Sequence, residues 1–316
     1  MDILDRREFD AVVIGGGPGG ASCAQWLKML GFSPCLVERR SRLGGLQNEN
    51  PYHNRWIVAA APGSSGHDIA RAIHENIRAL GIPVLLDTEV TDVLRRDADG
   101  FHVEVRGPAG PRRVTGRTVV LASGVKPNAG NLARRANLLI GHGNQVEETD
   151  FRGAKVAILG GGDNAFHNYP ILKERGAREV TLFARTIRAR LEFLEQVPPE
   201  HVRLGEYLVD EERLTVNGEA FDKIIVLYGW SVNLDYMRSI EVAVDTKGFV
   251  VADRDCQTSV TGIYAIGELT QRLHPCCVTA MADGATAAKA IQRHLEHNLS
   301  AQYIGKMKRI AKLVGF

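Results

Sequence analysis

Apolar runs and polar breaks alternate along this chain in two distinct rhythms. The short runs Ala11–Ile14 and Val156–Leu159 read as buried parallel strands, since each is continuous, brief and set directly against a glycine cluster. Each cluster then opens a helix-like segment. The first helix is expected from about Gly19 to Leu30, closed by Gly31. A second apolar run, Pro34–Val37, follows it as the next strand. After the second cluster the corresponding strand is Val180–Phe183, and Pro170 falls inside the intervening helix, where it should kink the helix or shift its start. Near the C-terminus a helix is expected over about Met281–Leu295. Beyond it Tyr303, Met307, Ile310 and Val314 recur at helical spacing, with Lys306, Lys308, Arg309 and Lys312 between them, which predicts an amphipathic tail over 296–316.

The glycine clusters carry the chemistry, and they lie 145 residues apart. In Gly15-x-Gly17-x-x-Gly20 the first glycine makes a tight turn. The second lets the backbone approach a pyrophosphate, and the third lets helix and strand pack closely. The pyrophosphate then sits on the positive end of the helix. Glu38 closes the next strand, 23 residues after Gly15, near the distance expected of an acid that grips ribose hydroxyls. Gly160-x-Gly162-x-x-Ala165 repeats the logic with alanine at the packing position. Here the acid is missing: Ala184-Arg185-Thr186 follows the strand, with Arg188 and Arg190 close behind. An acid would repel a 2′-phosphate, whereas arginine binds one through a charge-assisted fork, so NADPH is favoured and NADH remains possible. The alternative for these arginines is a solvated basic face. Two such units in one chain imply two dinucleotides held so that electrons pass between them.

Composition narrows the partners. A length of 316 residues suggests two domains, and 44% hydrophobic with 24% charged residues is ordinary for a globular protein. A net charge of +2 gives no global electrostatic case for nucleic acid or an anionic membrane. No apolar stretch approaches the roughly 18 residues of a membrane span. The start, Met1 to Arg7, is too short and too acidic for a signal peptide, so a cytoplasmic protein is expected. The five cysteines, Cys23, Cys35, Cys256, Cys276 and Cys277, form no CxxC and no zinc-ligand spacing, so no metal site is expected.

The order of motifs resembles the low-molecular-weight thioredoxin reductase family, and the resemblance covers nearly the whole chain. Leu121-Ala122-Ser123-Gly124 is similar to the family's ATG hinge. Tyr228-Gly229-Trp230-Ser231-Val232-Asn233 is similar to its G-H-x-P-N stretch. Gly248–Val251, Gln257–Ser259 and Gly262-Ile263-Tyr264-Ala265-Ile266-Gly267-Glu268 resemble its second FAD segment. Glu268 stands one methylene longer where the family has an Asp that holds the ribityl chain. The resemblance implies an α/β fold with two Rossmann-like dinucleotide-binding domains of three-layer ββα type. The FAD domain would be discontinuous, 1–124 and 246–316, with an NAD(P)H domain of 125–245 inserted, and the protein would be a homodimer. For FAD it implies Gly15, Gly17, Pro18, Gly19 and Gly20 in the loop, and Glu38 and Arg39 after the second strand. Gly44, Gly45, Asn54 and Val90 follow, then Ser123 and Gly124 at the hinge, and finally Gly267, Glu268, Cys276, Cys277 and Val278. For NADPH it implies Gly160, Gly162, Asp163, Asn164 and Ala165, with Arg185, Arg190 and Gly229. His167 and Asn168 fall where the family has acidic residues near the nicotinamide.

One departure is chemical. The family's CxxC would fall on Gly143-Asn144-Gln145-Val146, and no cysteine lies between Cys35 and Cys256. The dithiol relay is therefore missing. The pattern then resembles ferredoxin/flavodoxin–NADP reductases of thioredoxin-reductase type. These would pass hydride from NADPH to N5 of FAD and electrons onward to an external acceptor, either an acidic ferredoxin- or flavodoxin-like carrier or a small oxidant. In that reading the tail is a lid or docking helix; the alternative is a helix packed on its own domain or on a dimer mate. By the same resemblance Cys276 and Cys277 start a helix at the flavin's pyrimidine edge, where thiolate character is expected. They are candidates for a catalytic dithiol, a redox sensor or simple packing, and His274 for an acid/base or a helix-entry residue. A disulfide reductase using Cys276 and Cys277, and a flavin-binding sensor with little turnover, are the competing functions. Cys23 and Cys35 are expected to pack in the core.

Overall fold

The computed structural model describes residues 8–96, 100–270 and 275–313, and the chain divides into two compact units. The first begins with strand β1 (Phe9–Ile14), helix α1 (Pro18–Met29) and strand β2 (Pro34–Val37). Helix α2 (Gly66–Ala79) and the short strand β3 (Val84–Leu85) follow, then the meander β4 (Glu89–Arg95), β5 (Phe101–Gly107) and β6 (Gly110–Leu121). The strands run in the order β3-β2-β1-β6-β5-β4. The β3-β2-β1-β6 part is parallel and the β6-β5-β4 part antiparallel, because β6 is long enough to pair both ways. Every β1 position except Asp10 and every β2 position is buried, as expected of parallel strands covered on both faces. Helix α2 begins at a capping box, in which Ser65 and Asp68 satisfy each other's backbone donors.

The chain enters the second unit through β7 (Val125–Pro127). There β8 (Leu138–Ile140), α3 (Asn144–Glu148), β9 (Lys155–Leu159), α4 (Asp163–Glu174) and β10 (Glu179–Ala184) follow one another. Then come α5 (Leu191–Leu194), β11 (Val202–Leu204), the small strands β12 (Val209–Asp210), β13 (Thr215–Val216) and β14 (Glu219–Ala220), and β15 (Lys223–Val226). The main sheet is parallel, in the order β11-β10-β9-β15-β8, and β12-β13-β14 form a separate antiparallel sheet. One apolar cluster joins the sheet to the helices through Val156, Ile158, Phe166 and Leu172. Another, on the opposite face, joins Leu159, Phe183 and Ile224 to Val216 of the small sheet. This is the three-layer unit that the resemblance implies. Helix α4 starts at the glycine loop and runs through Pro170, so Pro170 does not shift its start.

The chain leaves through β16 (Trp230–Val232), which pairs with β7. The second unit ends at Ser231, fourteen residues before the expected boundary at 245, and residues 49–52 also belong to it. The boundary moves because Tyr236 and Val242 are buried in the first unit's core with Val12 and Val90. Strand β17 (Ile263–Ala265) then adds to β6, and helix α6 spans Cys277–Leu313. The expected end near Leu295 is not a boundary: the predicted tail continues the same helix through Leu313. Of its stripe, Met307 is 50% exposed. The side chains of Tyr303 and Ile310, and all of Val314, lie outside the described part. Helices α1 and α6 cross closely, since a Cβ on Gly284 would stand 2.4 Å from the Gly19 carbonyl oxygen.

Candidate dinucleotide sites

The first glycine loop joins β1 to α1. At Gly15 φ is +106°, and a Cβ there would lie 2.3 Å from the Ala122 carbonyl oxygen, so β1 and the end of β6 meet at glycine-only distance. A Cβ on Gly20 would lie 2.0 Å from the Gly15 oxygen, which is the close helix–strand packing required of the third glycine. Gly17 starts the helix without a side-chain cap, leaving the first-turn N–H groups to a ligand. Glu38 is buried and holds the loop from the next strand: its Oε2 accepts from the Gly16 N–H at 2.7 Å and its Oε1 from the Arg40 N–H at 2.9 Å.

A hollow of about 750 Å³ opens along this loop. Its walls include Gly15, Gly17, Pro18, Gly19, Glu38, Arg39 and Gly45, together with Ser123, Gly124, Gly267, Glu268, Cys276 and Cys277. A second hollow of about 970 Å³ shares Gly15, Glu38, Arg39 and Ser123 with it and extends past Val90 to Tyr236. Both lie within the first unit. The result is an elongated cleft with a helix N-terminus and a carboxylate at its middle, which fits an extended dinucleotide such as FAD. Gln47, also in the wall, has a buried Oε1 with no hydrogen-bond partner among the described residues, a further acceptor for a bound group.

Four expected residues lie off this cleft. Gly20 packs α1 onto the loop, and Gly44 packs against Ala70, where a Cβ would stand 2.5 Å from the alanine methyl. Asn54 uses its Oδ1 to accept from the Trp56 N–H. Val278, on α6, is 43% exposed and is not part of the cleft wall. His274 lies outside the described residues.

Two supporting residues, Tyr236 and Asp283, are not legible in the sequence as site residues. The Ser123 hydroxyl donates to the Asn233 carbonyl at 2.6 Å and bonds the Tyr236 hydroxyl at 2.9 Å, while Asn233 returns its Nδ2 to the Ser123 oxygen. This knot fixes the hinge motif across 110 residues of sequence. Asp283, buried on α6, accepts from the Gly267 N–H at 3.1 Å and so sets the Gly267–Glu268 turn.

The Cys277 thiol does not carry the lowered pKa expected of a helix start. It and Cys276 are both free thiols. Cys277 is the first residue of α6, yet burial, with Cys276 and Glu268 beside it, pushes its thiol up to about 12. Desolvation overrides the helix-end effect that would favour a thiolate. The Cys276 N–H donates to Thr279 Oγ1 at 3.0 Å, so this residue serves the helix start. Burial also raises the Glu268 carboxyl. Cys23 and Cys35 are fully buried packing residues, as expected.

The second loop joins β9 to α4 and repeats the backbone solution. A Cβ on Gly160 would stand 2.2 Å from the Leu227 oxygen, whereas Ala165 carries its methyl fully buried at the third position. Gly162 again starts the helix without a side-chain cap. Arg190 departs from expectation. Its Nε meets Asp163 Oδ2 at 2.8 Å, its own N–H meets Oδ1 at 2.8 Å, and its guanidinium lies 4.6 Å from the centre of the Phe193 ring. Its charge is committed to the acid that opens α4, which leaves Arg185 and Arg188, both exposed after β10, facing solvent. Gly229 follows β15, and its carbonyl accepts from the Asn128 N–H.

Gly143-Asn144-Gln145-Val146 begins α3. A Cβ on Gly143 would lie 2.0 Å from the Glu49 carbonyl oxygen, and its φ is +90°, so a cysteine has no room where a dithiol would start. Among the described residues no group of His, Cys, Asp or Glu could hold a metal ion. No helix there is long and apolar enough to cross a membrane.

Two glycine-loop units, one inserted in the other, with an elongated cleft on the first, define a two-dinucleotide oxidoreductase of flavoprotein type. The chain belongs to the pyridine nucleotide-disulphide oxidoreductase family, whose model matches residues 9–284. It is 28% identical to a ferredoxin–NADP reductase of Limosilactobacillus fermentum, over 83% of this chain and 86% of that protein. It is 26% identical to a ferredoxin–NADP reductase of Ignicoccus hospitalis, over 83% and 90%. Among solved structures, Lactococcus lactis thioredoxin reductase superposes with a TM-score of 0.75 at 20% identity, over 90% of this chain and 98% of that one. The bacillithiol disulfide reductase Bdr of Bacillus cereus gives 0.75 at 18% identity, over 90% and 99%. The protein is an NAD(P)H-dependent flavoprotein oxidoreductase with FAD and NADPH as its cofactors.

Proposed function

We propose that this protein takes electrons from NADPH, held by the second unit, through FAD, held by the first, to an external carrier of ferredoxin or flavodoxin type, with no protein dithiol between. The observation that carries this reading is the combination at 143–146: no cysteine, and no space for one at Gly143. The high thiol pKa of Cys277 argues in the same direction. Bound FAD supplies the chemistry of accepting hydride and releasing electrons. The chain's own residues bind and orient. The α1 N-terminus receives the pyrophosphate, Glu38 faces the ribose, and Gly267, Glu268 and the start of α6 close the far end of the cleft. On the second unit the α4 N-terminus takes the nucleotide pyrophosphate and Arg185 the 2′-phosphate. A homodimer in the cytoplasm belongs to the same proposal.

The test is anaerobic stopped-flow mixing of the purified yellow protein with NADPH, followed by addition of a ferredoxin. Rapid flavin bleaching and rapid ferredoxin reduction are expected. Bleaching that no carrier relieves, but that a small disulfide does, would replace this reading with a disulfide reductase. Absence of bleaching with chemically reducible flavin present would favour a sensor.

A further inference from the structure

Ahead of helix α2 the first unit carries a loop, 53–65, that serves neither dinucleotide. Its neck is closed: His53 and Ser65 form an antiparallel bridge, and the Asn54 N–H donates to the Ser64 carbonyl at 2.8 Å. Inside the loop the Ala60 N–H donates to the Ile57 carbonyl and the Ser64 N–H to the Ala61 carbonyl, each at 3.0 Å. Ile57 packs against the core of the first unit. Its neighbours do the opposite. Trp56 is 74% exposed and Val58 is completely exposed, with Ala59, Ala61 and Pro62 exposed beside them. A loop tied at its neck and anchored at Ile57 holds this apolar surface in solvent by construction, and such a contiguous exposed patch marks an interaction site.

The patch is apolar at its centre and cationic at its edge. Residues 50–67 contain no Asp or Glu, and Arg55 is exposed next to Trp56. The first acid beyond them, Asp68, is committed to the Ser65 cap and to Arg71. The loop also lies close to the flavin cleft. Its neck residue Ser65 stands five residues before Ala70, roughly 7.5 Å along α2. Ala70 packs against Gly44, the neighbour of Gly45 in the cleft wall.

We propose that loop 53–65 is the docking surface for an acidic carrier of ferredoxin type, with Trp56 and Val58 against an apolar face of the carrier and Arg55 against carboxylates at its rim. The proposal rests on the carrier reading above. Tryptophan and arginine are the residue types that dominate the energetics of such contacts. Two arguments choose a carrier over a second copy of this chain. A two-fold axis through the patch would face Arg55 with its own copy, and no carboxylate within 50–67 would answer it. The patch is also a single short loop, on the scale of a transient electron-transfer contact and below that of a permanent dimer.

The experiment uses the holoenzyme, NADPH and an acidic two-[4Fe–4S] ferredoxin. It reads two steps separately: flavin bleaching by NADPH, and ferredoxin reduction by the bleached enzyme. Trp56→Ala should raise the ferredoxin concentration for half-maximal rate about tenfold, the scale of one central aromatic anchor. Val58→Asp should raise it about fivefold, by placing a carboxylate against an acidic partner. Arg55→Glu should slow carrier reduction most at low salt, where steering by charge is strongest. All three variants should bleach within about twofold of the wild-type rate and keep the wild-type Tm, since these side chains stand outside the core. Unchanged half-saturation in Trp56→Ala and Val58→Asp would overturn the proposal. A dimer that light scattering shows to be split by Trp56→Ala would overturn it too, by making the loop an interface between copies. A wild-type enzyme that bleaches with NADPH but reduces no ferredoxin would remove the carrier reading itself, and this docking surface with it.

Discussion

The two glycine loops solve one geometric problem with opposite electrostatics. Both replace a side chain by a backbone carbonyl at the first glycine, Ala122 beneath Gly15 and Leu227 beneath Gly160. Both leave the helix start uncapped for an anion. They diverge at the next strand. The first loop is held by a buried carboxylate, Glu38, shared between two backbone donors. The second has its acid, Asp163, at the start of α4 and paired with Arg190, with exposed arginines after β10. The backbone sets where a pyrophosphate lies; the charge after the second strand sets which ribose is accepted.

The largest effects should come from the shared geometry. Gly15→Ala and Gly160→Ala each force a Cβ into a carbonyl at 2.3 Å and 2.2 Å from a positive-φ position. Each should cost roughly 3 kcal/mol or more, read as a lower Tm, with loss of bound flavin only in the first. Gly162→Ala, whose Cβ meets nothing within 4 Å, should leave Tm nearly unchanged and so separates packing from ligand approach. Next comes Glu38→Gln, which keeps the shape and removes the charge. FAD affinity of the apoprotein should fall by about tenfold or more, on the scale of a charged hydrogen bond. An unchanged Kd would assign Glu38 to loop structure alone.

The arginines sharpen the contrast. Arg185→Ala should raise the KM for NADPH about tenfold and leave NADH turnover unaltered, while Arg190→Ala should change NADPH selectivity about twofold at most, since its guanidinium already serves Asp163. Equal effects would mean that Arg190 swings to the phosphate. The smallest effect is expected at the cysteines. Cys276→Ser with Cys277→Ser should leave carrier reduction within about twofold. Alkylation of Cys277 should speed up about tenfold per pH unit from 8 upward without a plateau below about 12, because only the thiolate reacts. A plateau near pH 7 would restore the reactive pair.

What was legible in the sequence is what local pattern encodes. Strand, loop, helix and strand follow each other within 30 residues at each site, so the two units and their glycines could be read directly. Long-range pairings could not. Nothing local marks that Arg190 belongs to Asp163, 27 residues away, or that Ser123 is tied to Tyr236, 113 residues on. The domain boundary moved for the same reason, because Tyr236 and Val242 show their allegiance only through the core they enter. The apolar pattern suggests a helix end near Leu295, whereas α6 continues to Leu313. A change of rhythm is not a helix stop, and no proline stands between Leu295 and Leu313. The Cys277 thiol differs from expectation because helix position is visible in a sequence and burial is not.

The contact between Gly143 and the Glu49 carbonyl also bears on ancestry and engineering. A relay of two thiols cannot be retrofitted here by Gly143→Cys and Val146→Cys alone, because the backbone of another segment occupies the first sulfur's place. Any route from this chain to a dithiol enzyme, natural or designed, would first have to move residues 49–52, at a cost borne before any new activity rewards it. Absence of the dithiol is thus a ratcheted state, guarded by main chain that point mutation cannot remove.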